Sequence, residues 1–272
     1  MPIHQGLMLG RSDSLPASLD VAARQGFDYV ELNMETGFAR DRLDPDRVAT
    51  LTDDRDLDVV AHLPYRIDPC TPHDHARDGA CRELEAAIDA AADAGAHRGI
   101  IHGTTFTYGD AWDTERIRDL IVSVADRLAT YGADRGVDIA VENLKGEYYD
   151  VHTYAEIADR SSASLCLDTG HAAVSGMSAV DQGTFLADHG DAVSHIHLND
   201  TRHLDDDEHL PVGLGTLDFD ALATALVETD WSGTATHEVW APTGPGPVAT
   251  AGKQVFEDAL ETARTHHNGN IL

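Results

Sequence analysis

Histidine and acidic residues recur at the carboxyl ends of short apolar segments along this 272-residue chain. In chain order these segments carry Glu31, His62, His102, Glu142, Asp168, His197 and Glu238. His171 follows Asp168 by three residues, and Asp207 and His209 come after the seventh segment. A single histidine or carboxylate of this kind usually has a core or capping role, but charged groups are rarely buried in number unless they are paired or bind metal. Their repetition predicts a divalent-metal site, and imidazole mixed with carboxylate suits Zn²⁺, Mn²⁺, Fe²⁺ or Co²⁺ better than Mg²⁺ or Ca²⁺.

The segments that must position these residues alternate with longer amphipathic segments of helical periodicity. The apolar segments span residues 3–9, 27–33, 57–63, 98–104, 137–143, 163–169, 192–199 and 233–240. Alternating strand and helix units predict a parallel sheet covered by helices, and eight such units predict a (β/α)8 TIM barrel, a single domain over residues 1–272. An open doubly wound sheet is the alternative, but the Gly-rich turn that usually follows its first strand is missing. In a barrel the carboxyl ends of the strands meet at one rim, so the chemistry-bearing residues are expected there together.

The charge balance narrows the range of partners. The chain has 48 acidic and 19 basic residues, which gives a net charge of −29. Such a surface repels nucleic acid, although high cellular salt weakens the repulsion and keeps nucleic acid open as a partner. An Asp-rich surface with two lysines is typical of salt-loving archaeal proteins, so we expect a halophilic archaeal source.

Two further patterns predict the cellular location of the protein and the redox state of its cysteines. No apolar run approaches the ~20 residues of a membrane span, and the N-terminal residues show no signal peptide, so we expect a cytoplasmic protein without a membrane partner. The three cysteines form no metal-type pair and are expected to be reduced thiols, with Cys166 buried.

The motifs, taken in order, resemble one known superfamily over essentially the whole chain. They read VEL, HLPY, IIHGT, VENL, CLDTGH, HIHLND, HLPVGLGTLDF and HEVW. This series resembles the xylose-isomerase-like TIM barrels, which include sugar isomerases, sugar epimerases and the endonuclease IV type of apurinic-site nuclease. Resemblance to the sugar branch implies one divalent ion (Mn, Co, Mg or Fe) held by Glu142, Asp168, His197 and Glu238. It also implies that Glu142 and Glu238 are the acid/base pair, which moves a proton through an enediolate.

The same resemblance implies a set of substrate contacts. His171 and Arg202 stand at the spacings of sugar-contacting residues, and Glu147 is one residue away from the position of another. His62 is also expected to contact the substrate. Lys145 is a candidate contact for substrate or phosphate, or a counter-charge for nearby carboxylates, and Trp240 is a candidate stacking surface. The expected partner is therefore a small sugar or sugar phosphate, and the resemblance also implies a homo-oligomer.

The nuclease branch is the alternative. Its pattern implies three zinc ions held by nine side chains, all present here: His62, His102, Glu142, Asp168, His171, His197, Asp207, His209 and Glu238. The start of the chain lacks the His-Val-Ser turn of that branch, and the charge is unfavourable for DNA, so we favour a sugar isomerase or epimerase. Dehydratases are a smaller alternative. A catalytically silent barrel that binds a sugar or a protein is another, but it has no need to keep both Glu142 and Glu238.

Overall fold

The computed structural model describes residues 2–10, 14–108, 111–145, 148–203, 205–240 and 246–269. Within these residues, eight parallel strands pair in chain order and close into a barrel. The strands are β1 (Ile3–Leu9), β2 (Tyr29–Asn33), β3 (Asp58–His62), β4 (Ala96–His102), β5 (Asp138–Glu142), β6 (Ser164–Asp168), β7 (Val193–Leu198) and β8 (Gly233–His237). The pairing of β1 with β8 excludes the open sheet and confirms the (β/α)8 barrel. The extent of the domain over residues 1–272 stays a prediction.

The helices of the described residues surround the barrel. They are α1 (Leu15–Arg24), α2 (Pro45–Asp53), α3 (Asp74–Asp93), α4 (Thr114–Ala133), α5 (Ala155–Arg160), α6 (Thr169–Val174), α7 (Ala179–His189), α8 (Phe219–Glu228) and α9 (Gly246–Gly269). One helix was expected between consecutive strands, but the connection from β6 to β7 contains both α6 and α7. None of these helices is long and apolar enough to cross a membrane.

Local sequence sets where the helices begin and end. Asp113 precedes α4, and its carboxylate accepts a hydrogen bond from the Arg116 backbone N–H at 3.0 Å. After α1, α3 and α4 the chain reverses through Gly26, Gly95 and Gly136, whose φ angles are 68°, 87° and 73°. Only glycine adopts this left-handed conformation without strain, which explains the glycines predicted at the helix ends.

Asp218 caps the N-terminus of α8, as its position before an amphipathic segment predicts. Its Oδ1 accepts a hydrogen bond from the Ala221 backbone N–H at 3.0 Å. We expect Asp218→Ala to lower the free energy of unfolding by about 1 kcal/mol, measured by urea denaturation at constant high salt. Asp220→Ala is the matched control, because Asp220 is exposed in the first turn of the same helix. An equal loss in both variants would show that capping is not the cause.

The alternation of side chains along five strands determines which residues point into the barrel. The lower interior of the barrel holds a small cluster of buried residues: Tyr29, Val60, Ile100, Ala140 and Cys166. Two residues further along the same five strands come Glu31, His62, His102, Glu142 and Asp168. Residues i and i+2 of a strand share a face, so these polar side chains also point into the barrel, nearer its carboxyl end. All three cysteines are free and buried, as expected.

Candidate metal centre

Three carboxylates surround one nitrogen of His197. Its Nδ1 lies 3.0 Å from Glu238 Oε2, 3.6 Å from Glu142 Oε1 and 3.8 Å from Asp168 Oδ2. The four residues come from β5, β6, β7 and the residue after β8, and their candidate ligand atoms all lie within 4.8 Å of one another. The structure therefore brings together the four side chains predicted to hold one metal ion.

Glu142 joins this tetrad to a second group. Its Oε2 lies 3.3 Å from His62 Nε2 and 3.2 Å from His102 Nε2, while its Oε1 faces the tetrad. The two imidazoles come from β3 and β4, and their rings meet edge to face with centroids 5.1 Å apart. Each of the two groups thus receives one carboxylate oxygen of Glu142, which would be available to hold a cation there.

A third group, formed by His171, Asp207 and His209, also contacts the tetrad. Asp207 Oδ2 lies 3.0 Å from His171 Nε2 and 2.9 Å from His209 Nδ1. His171 Nδ1 is also 3.0 Å from Glu142 Oε1, which connects this group to the first two. His209 has a φ of 47°, a strained conformation for a residue with a side chain, and such strain is often found at functional sites.

Two observations show that a divalent cation fits these residues. Within the described part of the chain, Glu142 Oε2, His197 Nδ1 and Glu238 Oε2 are buried and have no hydrogen-bond partner. Buried polar atoms are costly in that state, and a shared cation relieves the cost. In addition, two ligands bound at 2.0–2.2 Å to one tetrahedral ion stand roughly 3.4 Å apart. The distances of 3.0 to 3.8 Å around His197 Nδ1 bracket that value.

The buried carboxylates and imidazoles of the three groups shift one another's pKa values. Burial works against a charge on His209, but its hydrogen bond with Asp207 and the nearby carboxylates raise its pKa to about 9. Burial raises the pKa of Asp168 to about 6. Burial opposes ionisation of Glu142 as well, yet His197 and His102 hold its pKa well below the usual value. A bound cation would replace the positive charge of the imidazole protons, and these protons would be released.

Two asparagines that the sequence analysis missed hold Asp168 in place. Asn143 accepts a hydrogen bond from the Asp168 backbone N–H at 2.7 Å and donates one to its carbonyl oxygen at 3.1 Å. Asn199 donates through Nδ2 to Asp168 Oδ2 at 2.6 Å. Each directly follows or nearly follows a predicted ligand, Glu142 or His197, and that adjacency was the available signal. The other carboxylate oxygen, Asp168 Oδ1, accepts a hydrogen bond from the His171 backbone N–H and caps the N-terminus of α6.

Asp200 organises the loop that carries the third group. It is fully buried, and its carboxylate accepts hydrogen bonds from four backbone N–H groups, those of Thr201, Gly213, Gly215 and Leu217. Its own backbone also pairs with Leu210 across the loop. Sequence analysis did not single out Asp200, because its partners lie up to 17 residues away. The carboxylate positions Asp207 and His209 without contacting them.

Glu31 was expected at the rim with the other polar residues, and the structure places it inside the barrel in contact with His197. It is completely buried, and its Oε1 lies 3.2 Å from His197 Nε2. It therefore stands on the far side of the His197 ring from the three carboxylates, within the barrel.

The predicted substrate contacts have different surroundings. His62 and His171 lie inside the groups described above. Arg202 is 60% exposed, and its guanidinium is paired with Glu208. Lys145 is exposed on the loop after β5. Glu147 lies outside the described residues.

Aromatic side chains lie on two sides of the centre. Trp240 is 68% exposed, and its ring centroid lies 5.4 Å from that of His209. Tyr65, which the sequence analysis did not single out, stacks on His102 at 5.0 Å and meets His62 edge to face at 5.3 Å. Its backbone N–H donates to Glu35 Oε2 at 3.1 Å, which holds the loop after β3.

Comparison with known proteins places the chain among related barrels. The family model described as "Xylose isomerase-like TIM barrel" matches residues 19–266. The uncharacterized protein MJ1311 of Methanocaldococcus jannaschii is 24% identical over 242 residues, which cover 83% of this chain and 79% of that protein. A probable endonuclease 4 of Haloarcula marismortui is 30% identical over 183 residues, covering 60% of this chain and 63% of that protein. The chain thus spans less than two thirds of this nuclease relative.

A solved structure agrees over the whole fold. The crystal structure of a D-tagatose 3-epimerase-like protein superposes with a TM-score of 0.83 at 21% identity, covering 97% of this chain and 99% of that chain. At that identity the likeness shows the fold. The relatives come from Haloarcula marismortui and Halobacterium salinarum but also from Acholeplasma laidlawii and Mycobacterium leprae, so their organisms do not establish the expected halophilic archaeal origin.

Proposed function

Because the chain belongs to the xylose isomerase-like TIM barrel family, we propose that it is a divalent-metal-dependent isomerase or epimerase of a small sugar or sugar phosphate. The observation that carries this proposal is the placement of Glu142 and Glu238. Their carboxylates approach the same nitrogen, His197 Nδ1, at 3.6 and 3.0 Å, one from β5 and the other from the end of β8. Two carboxylates beside one cation position can remove a proton from the carbon beside a carbonyl and return one to the resulting enediolate.

A cation bound at the tetrad supplies Lewis-acid polarisation of a substrate carbonyl. One glutamate takes the proton from the carbon beside that carbonyl, and the other returns a proton to the enediolate. Both carboxylates are buried, with Glu142 3% and Glu238 7% exposed, so water has little access to the proton in transit. Asn143 and Asn199 hold Asp168 rigid next to them, which limits the reorganisation needed during the reaction.

Substrate recognition is proposed for the rim. Tyr65 and Trp240 offer aromatic surfaces next to His102 and His209, and aromatic faces suit the apolar side of a sugar ring. Lys145 is a candidate partner for a phosphate. Arg202 reaches a sugar only after exchanging its ion pair with Glu208 for substrate.

A second candidate function is hydrolysis of a phosphoester. The observation that favours it is that His62, His102, His171, Asp207 and His209 form two further groups in contact with the tetrad. Several cations on such neighbouring positions would activate water and neutralise a phosphate. The net charge of −29 makes a small phosphoester a better substrate than DNA.

Metal content per chain separates the two candidates, and Asp207→Asn makes the test sharper. The isomerase proposal predicts about one Mn, Co, Mg or Fe ion per chain in protein purified at high salt, and no loss of metal in Asp207→Asn, because Asp207 lies outside the tetrad. It further predicts deuterium exchange from solvent into a ketose.

The hydrolase candidate has a different signature. It predicts two or three zinc ions, loss of one in Asp207→Asn, and cleavage of a phosphoester or of abasic-site DNA. Wild-type protein that takes up no divalent ion would contradict both candidates.

A further inference from the structure

A buried anion lies inside the barrel, directly behind the metal centre. Glu31 has no solvent exposure, and it contacts the proposed metal ligand His197. Its Oε1 lies 3.2 Å from His197 Nε2, and its Oε2 lies 3.2 Å from His195 Nε2. The Thr236 hydroxyl donates to the same Oε2 at 2.5 Å. Barrel interiors are usually filled by branched aliphatic side chains, so a carboxylate at this depth needs a reason.

The contacts of Glu31 determine which nitrogen of His197 carries the proton. A carboxylate accepts hydrogen bonds and donates none, so a hydrogen bond with His197 Nε2 requires an N–H on that nitrogen. The neutral ring then has its lone pair on Nδ1, which faces Glu142, Asp168 and Glu238. The opposite tautomer would put a proton where the cation must bind and leave Glu31 without this donor.

His195 is the second histidine in contact with Glu31. His195 is completely buried, and its Nδ1 lies 2.6 Å from Thr234 Oγ1. Because Glu31 accepts hydrogen bonds and donates none, the contact at His195 Nε2 also requires an N–H on that ring nitrogen. Buried partners therefore hold both oxygens of Glu31, and its Oε1 faces His197.

We propose that Glu31 is a positioning residue of the metal centre: it fixes His197 as the Nε2-protonated tautomer, with Nδ1 as the metal ligand, and its charge strengthens that ligand. This inference rests on the proposed metal centre. A carboxylate behind a ligating imidazole raises the basicity of the ligand nitrogen, and loss of such a partner typically costs 10–100-fold in metal affinity.

The first test is the zinc affinity of Glu31→Gln, measured by competition with a chromophoric chelator. Glutamine keeps the size of the side chain but removes its charge. We expect zinc to bind roughly 10–100-fold more weakly than in the wild type. Gln5→Leu is the matched control, because Gln5 Oε1 lies 3.0 Å from His237 Nε2, another buried pair that contains no proposed ligand. Gln5→Leu is expected to keep the wild-type affinity.

The second test measures the wild-type protein and uses a variant only to assign the signal. In zinc-loaded wild-type protein labelled with ¹⁵N-histidine, the His197 signal is expected to show a protonated Nε2 and a metal-bound Nδ1. The signal is assigned from its disappearance in His197→Asn. A protonated Nδ1, or equal zinc affinity in Glu31→Gln and the wild type, would overturn the role of Glu31 while leaving the metal centre intact. Wild-type protein without zinc affinity would instead overturn the metal centre itself.

Discussion

Glu142→Gln and Glu238→Gln are each expected to lower the turnover number by roughly 10²–10⁴-fold, the range that a positioned acid or base supplies. Glutamine preserves the shape of each side chain but cannot accept or return a proton. The measurement is the rate of deuterium exchange into a ketose at saturating metal. Near-normal exchange in either variant would show that the acid/base assignment is wrong.

Metal content distinguishes the roles of the two glutamates. Glu142 contacts His62, His102, His171 and His197, whereas Glu238 contacts His197 and His209. We therefore expect Glu142→Gln to lose metal affinity as well as activity, and Glu238→Gln to lose less metal. Glu85→Gln is the control, because Glu85 lies on α3 outside the barrel and pairs with Arg127. It is expected to change neither quantity.

Asp200→Ala is expected to lower the free energy of unfolding by about 3–5 kcal/mol, because four backbone N–H groups lose the buried carboxylate that accepts their hydrogen bonds. The loop they belong to carries Asp207 and His209, so any zinc bound by the third group should be lost as well. Urea denaturation at constant high salt measures the first effect and elemental analysis the second.

A second substitution at Asp200 and a control on the same loop check the cause of the lost stability. Asp200→Asn keeps one oxygen acceptor, so its loss of stability should fall between those of the wild type and Asp200→Ala. Asp205→Ala is the control on the same loop, since Asp205 is exposed. A loss in Asp205→Ala equal to that in Asp200→Ala would mean that loop composition, and not the buried carboxylate, determines stability.

The fold and the ligand set were accessible to sequence analysis for a simple reason. A short apolar segment that ends in His, Asp or Glu predicts both a buried strand and a polar residue at the carboxyl end of that strand. All nine candidate ligands of the larger set lie in the three contacting groups, Asp207 and His209 among them.

The supporting contacts were not accessible in this way. The partners of Glu31 are 164 to 205 residues away, and only the closed barrel brings them together. Asn143 and Asn199 act through backbone and carboxylate atoms of β6, which depends on strand register. Arg202 had the spacing of a sugar contact, but its pairing with Glu208 arises from the local course of the loop.

Closure of the barrel by β1 and β8 also has a consequence for biosynthesis. β1 is translated first, but its pairing partner β8 emerges only near the end of translation, together with Glu238. Until then the nascent chain has two open sheet edges, at β1 and β7, of the kind that promotes aggregation. The proposed metal centre cannot acquire its full ligand set before β8 docks, so binding of the proposed metal would be a late maturation step. Chains terminated before β8 are expected to become clients of chaperones or proteases.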